Sequence, residues 1–217
     1  MEIIGCLKIP GSMLALGACD RVKRISKAHP QDIANSPIIK ELLEILSENS
    51  DSALAASAMA ALATVSLHPT GRQRISMEGA IPILVKLIAR GEVAKLNTDR
   101  AVGLLMNLAA DHANRRAIRD IGGIEALVGL MKLCQADEMM EHCMGALHNA
   151  MLTDNKAKGR AVDAGVLGPI LQVITLKGVP PDGLVLVRAK LLLSELMRLP
   201  NITTALEETA ELLGVQL

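Results

Sequence analysis

The chain has 217 residues, half of them apolar, with 23 basic and 23 acidic side chains and no formal net charge. It contains no Phe, Tyr or Trp. Without rings nothing can stack on bases or cage a quaternary ammonium, and without excess positive charge the footprint of phosphate-driven binding is missing, so nucleic acid is not an expected partner.

Leucine and alanine dominate the apolar residues, with 11 Met as adaptable filler, and the strand-forming aromatics are absent; this is an all-helical composition. No apolar run approaches the length of a membrane span. Four cysteines (Cys6, Cys19, Cys134, Cys143) at irregular spacing do not make a disulfide framework, and they point to thiols in a reducing compartment, cytosol or nucleus. Leu16-Gly17-Ala18-Cys19 has some likeness to a bacterial lipoprotein cleavage site, but Glu2, Pro10 and Gly11 interrupt the apolar stretch such a signal needs.

In chain order, residues 1–34 carry a faint echo of the later units (Ser26-Lys27-Ala28-His29-Pro30 against Ser66-Leu67-His68-Pro69) and read as a degenerate cap or an incomplete repeat. Residues 35–68 form a partial unit, in which Leu42-Leu43-Glu44-Ile45-Leu46 anticipates Leu84-Val85-Lys86-Leu87-Ile88. Residues 69–111, 112–153 and 154–199 are complete units. Their anchors, Gly79-Ala80-Ile81, Gly122-Gly123-Ile124 and Gly165-Val166-Leu167, stand 43 residues apart. A fixed period of this size means a solenoid, in which no unit closes a core alone.

Each unit reads as three helices. A short first helix (about Thr70–Glu78, Ala113–Ile121, Lys156–Ala164) stops at a glycine free to take a positive φ. The second begins at once, with Pro82 and Pro169 in its first turn. After a break at 90–92, 135–137 or 177–183, a longer third helix runs to about Ala110, Leu152 or Leu199. Its shared pattern is Ala58-Met59-Ala60-Ala61-Leu62, Ala101-Val102-Gly103-Leu104-Leu105 and Cys143-Met144-Gly145-Ala146-Leu147, so Leu62, Leu105 and Leu147 are expected in the core. Residues 200–217 read as one closing helix.

Three helices per unit, a glycine between the first two and an Ala…Leu-x-Asn-Leu third helix resemble the armadillo repeat, over about residues 35–199. The resemblance implies a right-handed all-α solenoid of about three complete repeats with partial flanking units. It also implies that third helices line a concave groove in which an extended partner segment lies. Third-helix asparagines hydrogen-bond the backbone of that segment; the matching residues are Asn107 and Asn149, with Thr64 and Glu195 in the flanking units. An amide suits the task because it donates and accepts at once. An equally weighted alternative has the asparagine tie one repeat to the next.

Helical spacing adds Arg100, His148 and Arg188 to the groove stripe. Relatives that bind basic nuclear-localisation peptides carry a tryptophan four residues before the asparagine. Here those positions are Ala60, Gly103, Gly145 and Leu191, which cannot build such a slot, so basic nuclear-localisation peptides are not expected. The stripe mixes charges, so it is not a positive trough for strongly acidic tails either.

Cys134, His142, Cys143 and His148 lack the spacing of a zinc site, and neither metal nor cofactor is expected. There is no glycine-rich phosphate loop, Gly-x-Ser-x-Gly elbow or His-Glu-x-x-His, so an enzyme is not expected. Asp111-His112 and Glu141-His142 read as solvated neighbours on their helices. The expected role is a protein-interaction module. The alternatives are a structural section of a larger armadillo scaffold with an empty groove, or the adaptor part of a multi-domain ligase or transport protein.

Overall fold

Glycine punctuates the chain where the repeat demands it. A computed structural model describes residues 2–9, 13–48, 52–92, 96–135, 138–176, 180 and 182–216. Among them are fifteen helices and no strand. The first five are α1 (Glu2–Leu7), α2 (Met13–Ala28), α3 (Pro30–Ala34), α4 (Ile38–Glu48) and α5 (Ala53–Ser66). Three triplets follow: α6 (Pro69–Met77), α7 (Ala80–Ile88) and α8 (Leu96–Leu108); α9 (His112–Asp120), α10 (Gly123–Met131) and α11 (Glu138–Met151); α12 (Asn155–Asp163), α13 (Leu167–Thr175) and α14 (Leu184–Leu196). The last helix is α15 (Ile202–Leu213).

The first helix of each triplet starts and stops one residue earlier than the sequence pattern implies. Gly79, Gly122 and Gly165 take φ of +86°, +84° and +83°, so the chain turns sharply into the next helix at a backbone angle that a side chain would strain. Proline at the first helical position opens α3 and α6, where its missing N–H is harmless. Ser52 Oγ accepts the Ala55 N–H at the start of α5, and Asp154 Oδ1 accepts the Ala157 N–H at the start of α12. The expected breaks at 136–137 and 177–179, with Pro181, lie outside the described residues.

Helices α2, α5, α8, α11 and α14 stand side by side in that order, each against the next. They form one layer. Helices α4, α7, α10 and α13 each pack on the third helix of their own unit and form the layer behind it. α5 is built almost wholly of small apolar residues, which lets it approach α2 on one side and α8 on the other; Ala55, Ala58, Ala61 and Leu62 are buried there. Leu62, Leu105 and Leu147 are buried in the core as the repeat register requires, each worth about 1.5–3 kcal/mol of burial.

Two details go beyond the sequence pattern. The unit at 35–68, to which the sequence assigned no first helix, is preceded by the five-residue α3, which packs against α2, α4 and α6. α2 packs along α5 as α5 does along α8, so it stands as a third helix. α15 packs on α13 much as α12 packs on α10 and α9 on α7, which is the station of a first helix. Cys19, at the end of the Leu16–Cys19 stretch, is buried inside α2, and burial pushes its thiol up to about 11, so it is unreactive there.

Candidate functional site

The last turn of a helix leaves carbonyls without partners, and in a solenoid the next repeat can supply the donors. Arg72 of α6 donates to the Ser66 and Leu67 carbonyls just after α5 and forms an ion pair with Asp111, Nε to Oδ1 3.1 Å. One period later Arg115 of α9 donates, across the repeat boundary, to the Ala109 and Ala110 carbonyls at the end of α8 and, within its own unit, to the Leu152 carbonyl. Asn114, buried beside it, donates to the Leu108 carbonyl. Arg119 pairs with Asp154, and Arg160 pairs with Glu125 and donates to the Arg119 carbonyl. Cations at helix C-termini also meet the negative end of the helix dipole. These first-helix arginines were not singled out from sequence, although the 43-residue spacing of Arg72 and Arg115 in a strict repeat is a signal that finds that pair. Asp111 is accordingly not a solvated neighbour of His112.

On the third-helix face, the two asparagines behave alike. Asn107 Nδ2 donates to Ser66 Oγ at 2.9 Å, and Ser66 Oγ in turn donates to the Ala63 carbonyl. Asn149 Nδ2 donates to the Met106 carbonyl at 3.1 Å, one of the last-turn acceptors of α8. Each amide is thus held by the repeat before it. Neither Oδ1 accepts a hydrogen bond among the described residues, and both side chains remain half-buried.

The other candidate residues divide. Thr64 donates its hydroxyl back to the Ala60 carbonyl of its own helix. Glu195 is buried, 9% exposed at its side chain, with Lys158 Nζ 3.1 Å from Oε2 and Arg198 on its other oxygen. It therefore lies under the face and not open upon it. Lys158, 4% exposed, is the residue one period after Arg115, and here it serves the next third helix instead of a carbonyl. Arg188 lies 3.9 Å from Glu141. His148 is half-buried on α11 without a hydrogen bond among the described residues.

His142 does not pair with its sequence neighbour Glu141. Its Nδ1 lies 2.7 Å from Asp99 Oδ1, 43 residues earlier on α8. The hydrogen bond to Asp99 raises the imidazole's pKa above its ordinary value, burial opposes the rise, and the charges of Asp99, Glu138 and Glu141 reinforce it. With Asp99 and Glu141 paired across repeats and Asp111 and Glu195 paired within their own, Arg100 is left with no ion-pair partner among the described residues.

Arg100 and Asn107 line one depression of about 240 Å³ with Met59, Ala60, Ala63, Asp99, Gly103, Leu104, Met106 and His142. It exists because Ala60 and Gly103 carry no bulk: a Cβ on Gly103 would meet nothing within 4 Å. Gly145, its counterpart one repeat on, is covered, since a Cβ there would lie 2.7 Å from Met106 Sδ and 3.7 Å from the Arg188 guanidinium. The face is therefore open over Gly103 and covered over Gly145. A larger cleft of about 640 Å³, lined by Cys134, Gln135, Met140, Gln172, Val173, Thr175 and Leu176, lies away from this face at the ends of α10 and α13. Among the described residues no three His, Cys, Asp or Glu side chains come together as metal ligands, and no helix is long and apolar enough to cross a membrane.

No protein-family model matches the sequence. Splicing regulator ARVCF of Mus musculus is 33% identical to it over 144 residues, and that of Homo sapiens is 32% identical over the same length. These matches cover 62% of this chain, but the chain spans only 14% of the length of either relative. Among solved structures, the designed armadillo repeat protein YIII(Dq.V1)4CPAF in complex with peptide (KR)4 superposes with a TM-score of 0.81 at 19% identity, over 97% of this chain and 87% of that one. A second designed armadillo repeat protein, YIII(Dq)4CqI, gives 0.80 at 20% identity over 96% and 87%. An engineered protein gives 0.82 at 23% identity over 97% and 84%. With three-helix units, a glycine turn in each and third helices ranked in one layer, the chain has the armadillo-repeat fold.

Proposed function

We propose that this chain is a protein-interaction module that holds an extended segment of a partner across α5, α8 and α11, with Asn107 and Asn149 bonding the segment's backbone. The observation that carries the reading is the state of the two amides. Each is oriented by one hydrogen bond to the preceding repeat while its carbonyl oxygen stays available to a backbone N–H. The Gly103 depression beside Asn107 offers room for a side chain of that segment. The designed armadillo protein crystallised with peptide (KR)4 supports the same mode of use for this fold. Binding, not catalysis, is the proposed activity, and cytosol or nucleus the proposed compartment.

The test is a pull-down with the wild-type chain against Asn107→Ala/Asn149→Ala, with unfolding measured in parallel. Losing two hydrogen bonds to a desolvated backbone should weaken binding tenfold or more. Partners captured equally by a folded double variant would remove the groove from consideration. One observation favours a second reading, a scaffold section with no groove ligand: both amides also tie repeats together. Unfolding of the double variant would support that reading.

A further inference from the structure

We infer that the segment held in this groove is apolar and uncharged apart from a single carboxylate, which pairs with Arg100 while a neighbouring aliphatic side chain enters the depression over Gly103. The inference rests on the groove reading and names the class of segment. Of the carboxylates on α8, α11 and α14, Asp99, Glu141 and Glu195 are already met by a basic side chain, and Glu138 at the start of α11 has no ion pair among the described residues. Asp99 meets His142, Glu141 faces Arg188, Asp111 holds Arg72, and Glu195 is buried on Lys158. Glu138 by itself does not make a row that would attract successive lysines or arginines.

On α5, α8 and α11, across which the segment is proposed to lie, Arg100 is the one Arg or Lys among the described residues. Arg188 is drawn toward Glu141, and Arg198 is engaged by Glu195. Arg100, half-buried on α8, has no such partner among the described residues. A partly desolvated guanidinium without a counter-charge gains most from a carboxylate, which it can hold through two parallel hydrogen bonds. One cation on these three helices also limits the demand to one: a second or third acidic side chain there would find no further arginine or lysine among the described residues.

Apart from Arg100, Asn107 and the Asp99–His142 pair, the depression is apolar, formed by Met59, Ala60, Ala63, Gly103, Leu104 and Met106. Its volume of about 240 Å³ accommodates an aliphatic side chain. Arg100 and Gly103 are one turn apart on α8, and an extended segment places successive same-face side chains about 6.8 Å apart. A carboxylate within two residues of the inserted side chain therefore reaches the guanidinium.

The experiment is selection of a displayed library of random twelve-residue peptides on the full chain. Enriched peptides should carry one Asp or Glu within two residues of Leu, Ile, Val or Met, and few other charges. For a synthetic peptide of the enriched sequence, changing its acid to the amide should weaken binding tenfold or more without touching the protein. Arg100→Gln should do the same, and Arg100→Glu should prefer the Lys version of the peptide. Gly103→Leu should reduce binding by filling the slot. Peptides that are lost on Asn107→Ala but indifferent to Arg100→Gln, or enrichment of polybasic or polyacidic peptides lost on Asn107→Ala, would overturn the single-carboxylate inference and leave the groove standing. Peptides that bind Asn107→Ala and Arg100→Gln as well as wild type would overturn both.

Discussion

The first-helix arginines of this solenoid and Arg100 on the third helix α8 are used in opposite ways. Arg72, Arg115, Arg119 and Arg160 each end on a carbonyl or carboxylate of a neighbouring helix or repeat, so their charge is taken up in joining one unit to the next. Arg100, on the third-helix face, ends on nothing among the described residues and borders an open depression. A repeat protein must commit some polar groups to its own stacking, because each unit closes its core only against its neighbours. The difference between the two sets teaches where that commitment stops, at the face proposed for binding.

The strongest way to break this contrast is through the Lys158–Glu195 pair, the most deeply buried ion pair among the described residues. Lys158→Ala leaves Glu195 buried with only the exposed Arg198 beside it, and should cost about 3 kcal/mol or more in urea unfolding. Removing both charges together as Lys158→Met/Glu195→Leu should recover most of that loss. Core truncation sets a reference of similar size: Leu105, 1% exposed, should cost about 2–5 kcal/mol as Leu105→Ala. A loss near zero there would contradict the packing of α8 between its neighbours.

A smaller effect is expected where α6 crosses the end of α5. A Cβ on Gly71 would lie 2.1 Å from the Val65 carbonyl oxygen, so Gly71→Ala must push backbone apart and should cost about 1–3 kcal/mol. The smallest effect concerns pH. His142 has a folded pKa raised chiefly by its hydrogen bond to Asp99, so the stability this pair adds is fully present below the unfolded value of 6.5 and fades as pH rises through the raised folded value. Asp99→Asn should therefore lower the melting temperature more at pH 6 than at pH 9. An equal drop at both would show that the charge on the imidazole contributes nothing.

Much of the architecture was legible because the repeat is strict. The glycines at 79, 122 and 165 announce the turn, and the recurrent third-helix leucines announce the core; both follow from backbone sterics and burial, which act locally. α3 was not legible. Five residues are too few to show a helical period, and this helix is held by α2, α4 and α6, not by its own pattern. The groove was legible in part. Arg100, Gly103 and Asn107 lie together on α8, as helical spacing requires.

The positions of Glu195 and Arg188 depended on partners that only three dimensions bring close, Lys158 in one case and Glu141 in the other. So did the covering of Gly145 by Met106, a side chain from the neighbouring helix with several rotamers to choose from. Spacing along one helix says which residues share a face. It does not say what the next helix lays over that face.

The most direct measurement sets Arg115→Ala beside Arg100→Ala and reads both urea midpoint and partner binding for each. Arg115 supplies charged hydrogen bonds to the Ala109, Ala110 and Leu152 carbonyls, and its loss should cost about 1.5–3 kcal/mol of stability. Arg100→Ala should leave the midpoint unchanged within about 0.5 kcal/mol while weakening partner binding. If Arg100→Ala lowers the midpoint as far as Arg115→Ala, or binds its partners as wild type does, the division between a stacking side and a binding side is contradicted.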